Sequence, residues 1–207
     1  MRQQAERAAT LARQLLAFAC RQILEPRSVD LNQIALETLS LLEKVIGTNI
    51  QTRANLAPDL AIVRAVPLQV GHVLMNLCIN ARDAMPAGGT LIVETSNATL
   101  DETFCVREPL AHPGQHAVLS VSDTGTGMDA ATLERIFEPF FTTKEPGKRT
   151  GLGLATVYGI VREHGGFVQV SSEPGMGSNF RAYLPVSRDS PAPTTTAMET
   201  SPGKSNR

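Results

Sequence analysis

An excess of charge of either sign is missing from this chain of 207 residues: Lys+Arg number 19 and Asp+Glu 20, a formal net charge of -1. Binding to a phosphate backbone runs on clustered positive charge, so no nucleic-acid partner is expected. Cysteine is scarce too, at three (Cys20, Cys78 and Cys105), far apart and without a Cys-x-x-Cys pair. That argues against a disulfide framework and a zinc site, and fits a reducing cytoplasm. No apolar run approaches the ~18 residues of a membrane span, and the start does not read as a secretory signal. What is present is 42% apolar residues, enough for one domain with a substantial core plus appendages.

The pattern predicts α+β. Residues 2–25 hold no Gly or Pro, and Ala8, Leu11, Ala12, Leu15, Ala19 and Ile23 form one helical stripe that Pro26 ends. Such a helix buries its stripe either on its own domain or on another chain. Ser28 and Asp30 are capping residues before a second stripe of Leu31, Ile34, Ala35, Leu39, Leu42, Val45 and Ile46, closed by Gly47. Strand 49–56 alternates, a short apolar piece follows at 60–66, and Pro67 opens a helix reaching about Met85. Strands are expected at 90–99 and 117–122 with a surface loop between them. A helix at 151–164 and a terminal hairpin of 167–172 and 180–186 complete the domain. From Ser187 onward the chain is Ser, Pro, Thr and Lys, which reads as a disordered tail. The order suggests helices layered on one face of a largely antiparallel sheet.

Five short segments carry the chemistry. Asn76, Asn80 and Asp83 share one face of the 67–85 helix, with Val73, Leu77, Ala81 and Ala84 on the other. Asparagine is a weak helix former, so this face is unusual for a merely structural helix, although a solvated face reads the same way. Asp123-Thr-Gly125-Thr-Gly127 follows an apolar strand; a carboxylate there can accept from an exocyclic amine while flexible glycines let the backbone approach a ring. Residues 137–141 hold three of the seven phenylalanines. Thr150-Gly151-Leu152-Gly153-Leu154 opens a helix, and a helix N-terminus suits phosphate oxygens. The last is Gly175-Met-Gly177-Ser178 at the hairpin. No Gly-x-Gly turn extends to Gly-x-Gly-x-x-Gly, and Met198 defeats a P-loop reading of Gly203-Lys204-Ser205.

Taken in order, these segments resemble the N, G1, F and G2 boxes of the catalytic ATP-binding domain of two-component sensor histidine kinases, over residues 28–186. The resemblance implies a two-layer α/β sandwich, with helices on one face of a mixed, mostly antiparallel sheet, preceded by one long helix. ATP would lie between the asparagine helix and a mobile lid at about 128–150. It implies further that Asn80 holds Mg²⁺ and that Asp123 receives the adenine amine. Ser178 would stand beside Asp123, and Gly125, Gly127, Gly151 and Gly153 would line the nucleotide with Thr150, Leu152 and Leu154. Lys144, Lys148 and Arg149 are the candidate cations for the γ-phosphate.

Two positions depart from the family pattern. Hydrolysing relatives place a glutamate one turn before the Mg²⁺ asparagine; here it is Asn76, which cannot act as a general base. That favours transfer to a positioned nucleophile over hydrolysis. The resemblance places Asp83 with Asn76 and Asn80 among the nucleotide-binding positions, but some sensor kinases carry a basic residue there, so electrostatic help would have to come from the lid. Of the four histidines, His72, His112, His116 and His164, none lies in the context of a phosphoacceptor. Residues 1–26 resemble the second helix of the dimerisation hairpin, so the histidine would be supplied by another segment, in trans or from a longer protein. The family then implies a receiver-domain aspartate as the final acceptor and a homodimer formed through that helix. A hydrolysing switch of the gyrase or chaperone type and a non-catalytic docking module are the alternatives.

Overall fold

In a computed structural model, residues 25–143 and 150–187 are described. All but Glu25 of the helix expected over 2–25, the tail beyond 187 and the basic residues Lys144, Lys148 and Arg149 lie outside them.

A five-stranded sheet has the order β2–β4–β5–β7–β6, built from β2 (Ile50–Asn55), β4 (Gly89–Leu100), β5 (Gly114–Asp123), β6 (Phe167–Ser172) and β7 (Ser178–Pro185). Only β2 and β4 run parallel, because the chain crosses over between them; the other neighbours are antiparallel. Helices α1 (Leu31–Ile46), α2 (Pro67–Ala84) and α5 (Gly153–Glu163) cover one face, and a short α4 (Ala130–Leu133) precedes α5. The expected α/β sandwich is therefore what the chain forms. Leu31, Leu42, Leu74 and Leu77 from the helices meet Leu91, Val93, Leu119 and Val121 from the sheet, all at 1% exposure or less.

Local sequence accounts for most boundaries. Asp30 accepts from the Asn32 N–H at 2.8 Å to start α1, and Gly47 at φ +93° ends it. Ser28 is not a cap: it lies in β1 (Arg27–Val29), which pairs with β3 (Val63–Ala65) as a separate two-stranded ribbon. Val45 is 48% exposed and does not join the buried stripe of α1. Three-residue strands are too short for an alternation to betray them, so β1 was not legible.

The expected loop between β4 and β5 contains a helix, α3 (Glu102–Arg107), capped by Asp101, whose carboxylate accepts from the Phe104 N–H at 2.7 Å. Phe104 lies 6.2 Å from Phe167 and 6.3 Å from Tyr183, centroid to centroid, and those two rings stack at 4.4 Å. With Leu100, Ala111 and Val118 they make a second small core. Alternation along β5 and β7 puts this core on the face opposite the main helices. It also accompanies an earlier start of β5, at Gly114 rather than 117, while β4 gains one residue at each end.

Cys78 on α2 is fully buried, and burial pushes its thiol up to about 12. Since the thiolate is the reactive form, Cys78 is expected to resist alkylation at pH 8 in the native chain and to react once it unfolds. Peptide-resolved mass spectrometry checks this. Equal modification with and without denaturant would contradict the packing of α2.

Candidate functional site

α2 begins at Pro67 and buries Val70, Val73, Leu74, Leu77, Cys78 and Ala81, which turns Asn76, Asn80 and Asp83 away from the core. All three line a cavity of about 520 Å³, within the usual range of roughly 300–1,000 Å³ for small-molecule sites. The amides of Asn76 and Asn80 have no hydrogen-bond partner among the described residues. The carboxylate of Asp83 is occupied: Arg82, which also donates to the Val45 carbonyl, approaches it at 2.8 Å.

Helix α5 points its first turn at those asparagines. A Cβ placed on Gly153 would stand 3.7 Å from Asn76 Oδ1 and 3.8 Å from Asn80 Nδ2. No side chain among the described residues caps α5, whose first turn faces the cavity; the wall there includes Thr150, Gly151, Leu152, Gly153 and Leu154. Gly151 has φ +67°, and its carbonyl accepts from the N–H of Phe140, itself at φ +67°. The segment from Met128 toward Thr143 is thereby tied to the start of α5. Phe137 adds a ring contact with Tyr158 at 5.2 Å, and Arg135 stacks 4.4 Å over Phe141.

Asp123 ends β5 on the helix-covered face and is 8% exposed. Its Oδ1 accepts from the Gly125 N–H at 2.8 Å. Burial raises its pKa above the ordinary 3.8, and the amides of Gly125 and Ser178 pull it partly back. Ser178 is its antiparallel partner on β7. Gly127, at φ +62°, lines the cavity against the Glu173 carbonyl, with no room for a Cβ. Gly125 does not line it. Its backbone packs on the Ala84 carbonyl, which also accepts from the Thr126 N–H at 2.9 Å, so Gly125 stands behind the wall.

Ser172 is the residue that sequence reading missed. Its hydroxyl donates to the Gly177 carbonyl at 2.7 Å and accepts from the Met128 N–H at 2.9 Å. With that proton committed, the Ser178 hydroxyl at 3.1 Å is the donor to it. One side chain thus binds the glycine loop, the hairpin turn and Ser178 together. A lone serine at a strand end gave no signal. Ile79, Ile136, Phe141 and Phe180 contribute to the cavity's apolar lining, with Met128, Leu152 and Leu154. The phenylalanine-rich segment pointed to Phe141, but Ile136 arrives only through tertiary contact.

The arrangement has an apolar slot with a buried carboxylate, two hard amide oxygen donors and an open helix N-terminus. Those groups suit, respectively, a flat heterocycle bearing an amine, a hard cation and an anion. A sandwich with such a cavity between an asparagine-bearing helix and a glycine loop defines a class of nucleotide-type sites.

Comparison with known proteins makes the class specific. The family model for histidine kinase-, DNA gyrase B- and HSP90-like ATPases matches residues 65–188, and the chain belongs to that family. It is similar to the sensor kinase CckA of Brucella abortus, at 44% identity over 89% of this chain and 20% of that protein. It is also similar to the sensor histidine kinase ZraS of Escherichia coli, at 35% identity over 90% of this chain and 37% of that one. Among solved structures, the nucleotide-free catalytic domain of histidine kinase ThkA superposes with a TM-score of 0.63 at 27% identity, covering 79% of this chain and 97% of that domain. Full-length ShkA in complex with AMPPNP gives 0.63 at 25% identity, over 79% of this chain and 31% of that one. The chain thus spans between a fifth and two fifths of these curated relatives. No helix among the described residues is long and apolar enough to cross a membrane.

Proposed function

We propose that residues 28–186 bind Mg²⁺-ATP and present its γ-phosphoryl group to a histidine carried by another segment. The observation that carries this is the convergence on one cavity of the buried Asp123, of Asn76 and Asn80, whose amides are unpartnered among the described residues, and of the start of α5, uncapped among them. Asp123 would receive the adenine amine through the carboxylate oxygen that Gly125 leaves free, with Gly127 close to the ring and Ser178 holding Asp123 in place. Asn80 would hold Mg²⁺ through its amide oxygen, with Asn76 beside it. The open N–H groups of α5, flanked by Thr150, Gly151, Leu152, Gly153 and Leu154, would take the phosphates. Bound there, Mg²⁺ would neutralise phosphate charge and orient the phosphate chain.

No carboxylate replaces Asn76 as a base toward water, so the site would position and stabilise charge rather than activate a solvent molecule. Lys144 and Arg149 are proposed as cations on the γ-phosphate; Asp83, held by Arg82, is proposed to act on α2 rather than on the nucleotide. The acceptor histidine, a receiver aspartate after it and a dimer through residues 1–26 complete the reading, with 187–207 as a tail and the cytoplasm as the compartment. The sensor kinases among the relatives support it.

Calorimetric titration with AMPPNP, with and without Mg²⁺, tests it. Saturable one-to-one binding strengthened by Mg²⁺ is expected, and Asn80→Ala should remove the Mg²⁺ enhancement while leaving metal-free binding in place. Absence of binding at millimolar nucleotide would end the proposal. Steady phosphate release without any histidine substrate would favour the hydrolysing switch instead.

A further inference from the structure

The end of α2 and α5 farthest from the cavity holds a second arrangement. Val66 is the N-cap of α2 and offers no side-chain cap. In a capping box the side chain at the third helical position reaches back to the N-cap N–H. That position is Gln69, but its Nε2 donates to Glu163 Oε2 at 3.0 Å, and its buried Oε1 has no hydrogen-bond partner among the described residues. The Val66 N–H goes instead to His164 Nε2, at 2.9 Å. His164 is the C-cap of α5, and its Nδ1 lies 2.8 Å from the Ile160 carbonyl. A carbonyl only accepts and an N–H only donates, so the ring is neutral with its proton on Nδ1. Both ring nitrogens are used, and the imidazole is fixed between the two helices.

We propose that His164 is a positioning residue: it sets the register of α5 on α2, and so where the open end of α5 stands over Asn76 and Asn80. This rests on the nucleotide reading above. The two helices run antiparallel, with Val66 beside His164 at one end and Asn76 beside Gly153 at the other. Helix α5 has 11 residues, a rod of about 16 Å, and the step from Val66 to Asn76 is about 15 Å. The two ends therefore form matched rungs. Between them both helices bury apolar side chains in the common core, Val157 and Val161 on α5 and Val70 and Leu74 on α2. Apolar burial is non-directional and would tolerate a slide. A slip of one residue moves Gly153 by about 1.5 Å. The directional bond from Val66 to His164 opposes that slip, with the bond from Gln69 to Glu163 beside it, and it leaves Gln69 without its capping role.

The test uses the full chain, with His164→Leu removing the acceptor and His164→Gln replacing Nε2 with a carbonyl oxygen. Affinity for Mg²⁺-AMPPNP is measured by calorimetry and for adenosine, which carries no phosphate, by NMR titration. His164→Leu is expected to cut the AMPPNP-to-adenosine affinity ratio roughly tenfold by misplacing the phosphate end, with adenosine binding unchanged. His164→Gln should restore the ratio. Equal weakening of both ligands, or an unchanged ratio in His164→Leu, overturns the positioning role while the nucleotide site stands. Wild-type protein that binds neither ligand overturns the nucleotide reading and this proposal with it. Should His164→Leu not fold, His164→Ala, which also removes the acceptor, decides: a lowered ratio with adenosine binding unchanged supports the role, and an unchanged ratio overturns it.

Discussion

Replacing Asp123 with asparagine is expected to weaken AMPPNP binding by about 5- to 150-fold, from the roughly 1–3 kcal/mol cost of an unsatisfied buried polar group. The variant keeps a carbonyl oxygen for the Gly125 N–H, so the loop geometry survives. Where the second carboxylate oxygen stood there is now an NH₂, and a donor on the heterocycle would meet another donor. Folding should move the other way. Burial raises the Asp123 pKa above 3.8, so the folded chain favours the neutral acid. The stability linked to that proton is complete below 3.8 and is lost as pH rises through the raised folded value. At pH 7 the wild-type chain therefore carries a charge that opposes folding, and asparagine removes it. Thermal denaturation should find the variant at least as stable at pH 7, with the difference closing toward pH 3.8. Weaker folding together with weaker binding would mean that Asp123 is a structural residue. Unchanged affinity would remove the adenine assignment.

A second large effect is expected at Gly127. Its φ of +62° is a conformation that L-residues rarely adopt, and a Cβ there would run into the Glu173 carbonyl. That carbonyl belongs to a hairpin turn tied to the same loop by the Gly175 N–H donating to the Thr126 carbonyl at 2.7 Å. Neither backbone can retreat without breaking the bonds that Ser172 makes to Met128 and Gly177. Gly127→Ala should lower the free energy of unfolding by about 2–4 kcal/mol, the sum of backbone strain and overpacking. It should also weaken nucleotide binding, because Gly127 lines the cavity. Gly159→Ala is the control. Gly159 sits within α5, a Cβ there meets nothing within 4 Å, and its replacement should stabilise by about 0.5–1 kcal/mol. Denaturant titration of both variants checks the pair; equal behaviour would contradict the close packing of the glycine loop.

Much of the site was legible because its residues come in local runs. Three polar positions at helical spacing on α2, a carboxylate at the end of β5 and glycines opening α5 are each contained within a few residues. Their types point to the proposed chemistry before any packing is known. The parts that stayed hidden are held by residues distant in sequence. Ser172 acts on Met128, 44 positions away, and His164 on Val66, 98 positions away. A histidine at a helix end and a serine at a strand end are ordinary residues until the fold brings their partners to them. Gly125 shows the converse: its motif suggested a cavity wall, but contact with Ala84 places it behind.

By itself the sequence determined the kinds of element, because hydrophobic period and capping are properties of neighbouring residues. It determined the α+β layering as well, through the order of those elements. Outside the terminal hairpin of β6 and β7, tertiary structure alone decided which strands became neighbours, and it decided that α3 would cover the far face of the sheet with Phe104. It also decided that α2 and α5 would meet in the register that sets Gly153 over Asn76 and Asn80. Those outcomes depend on contacts between residues tens of positions apart. Such contacts form only when buried apolar surface and directional hydrogen bonds are satisfied together, and no local pattern records them.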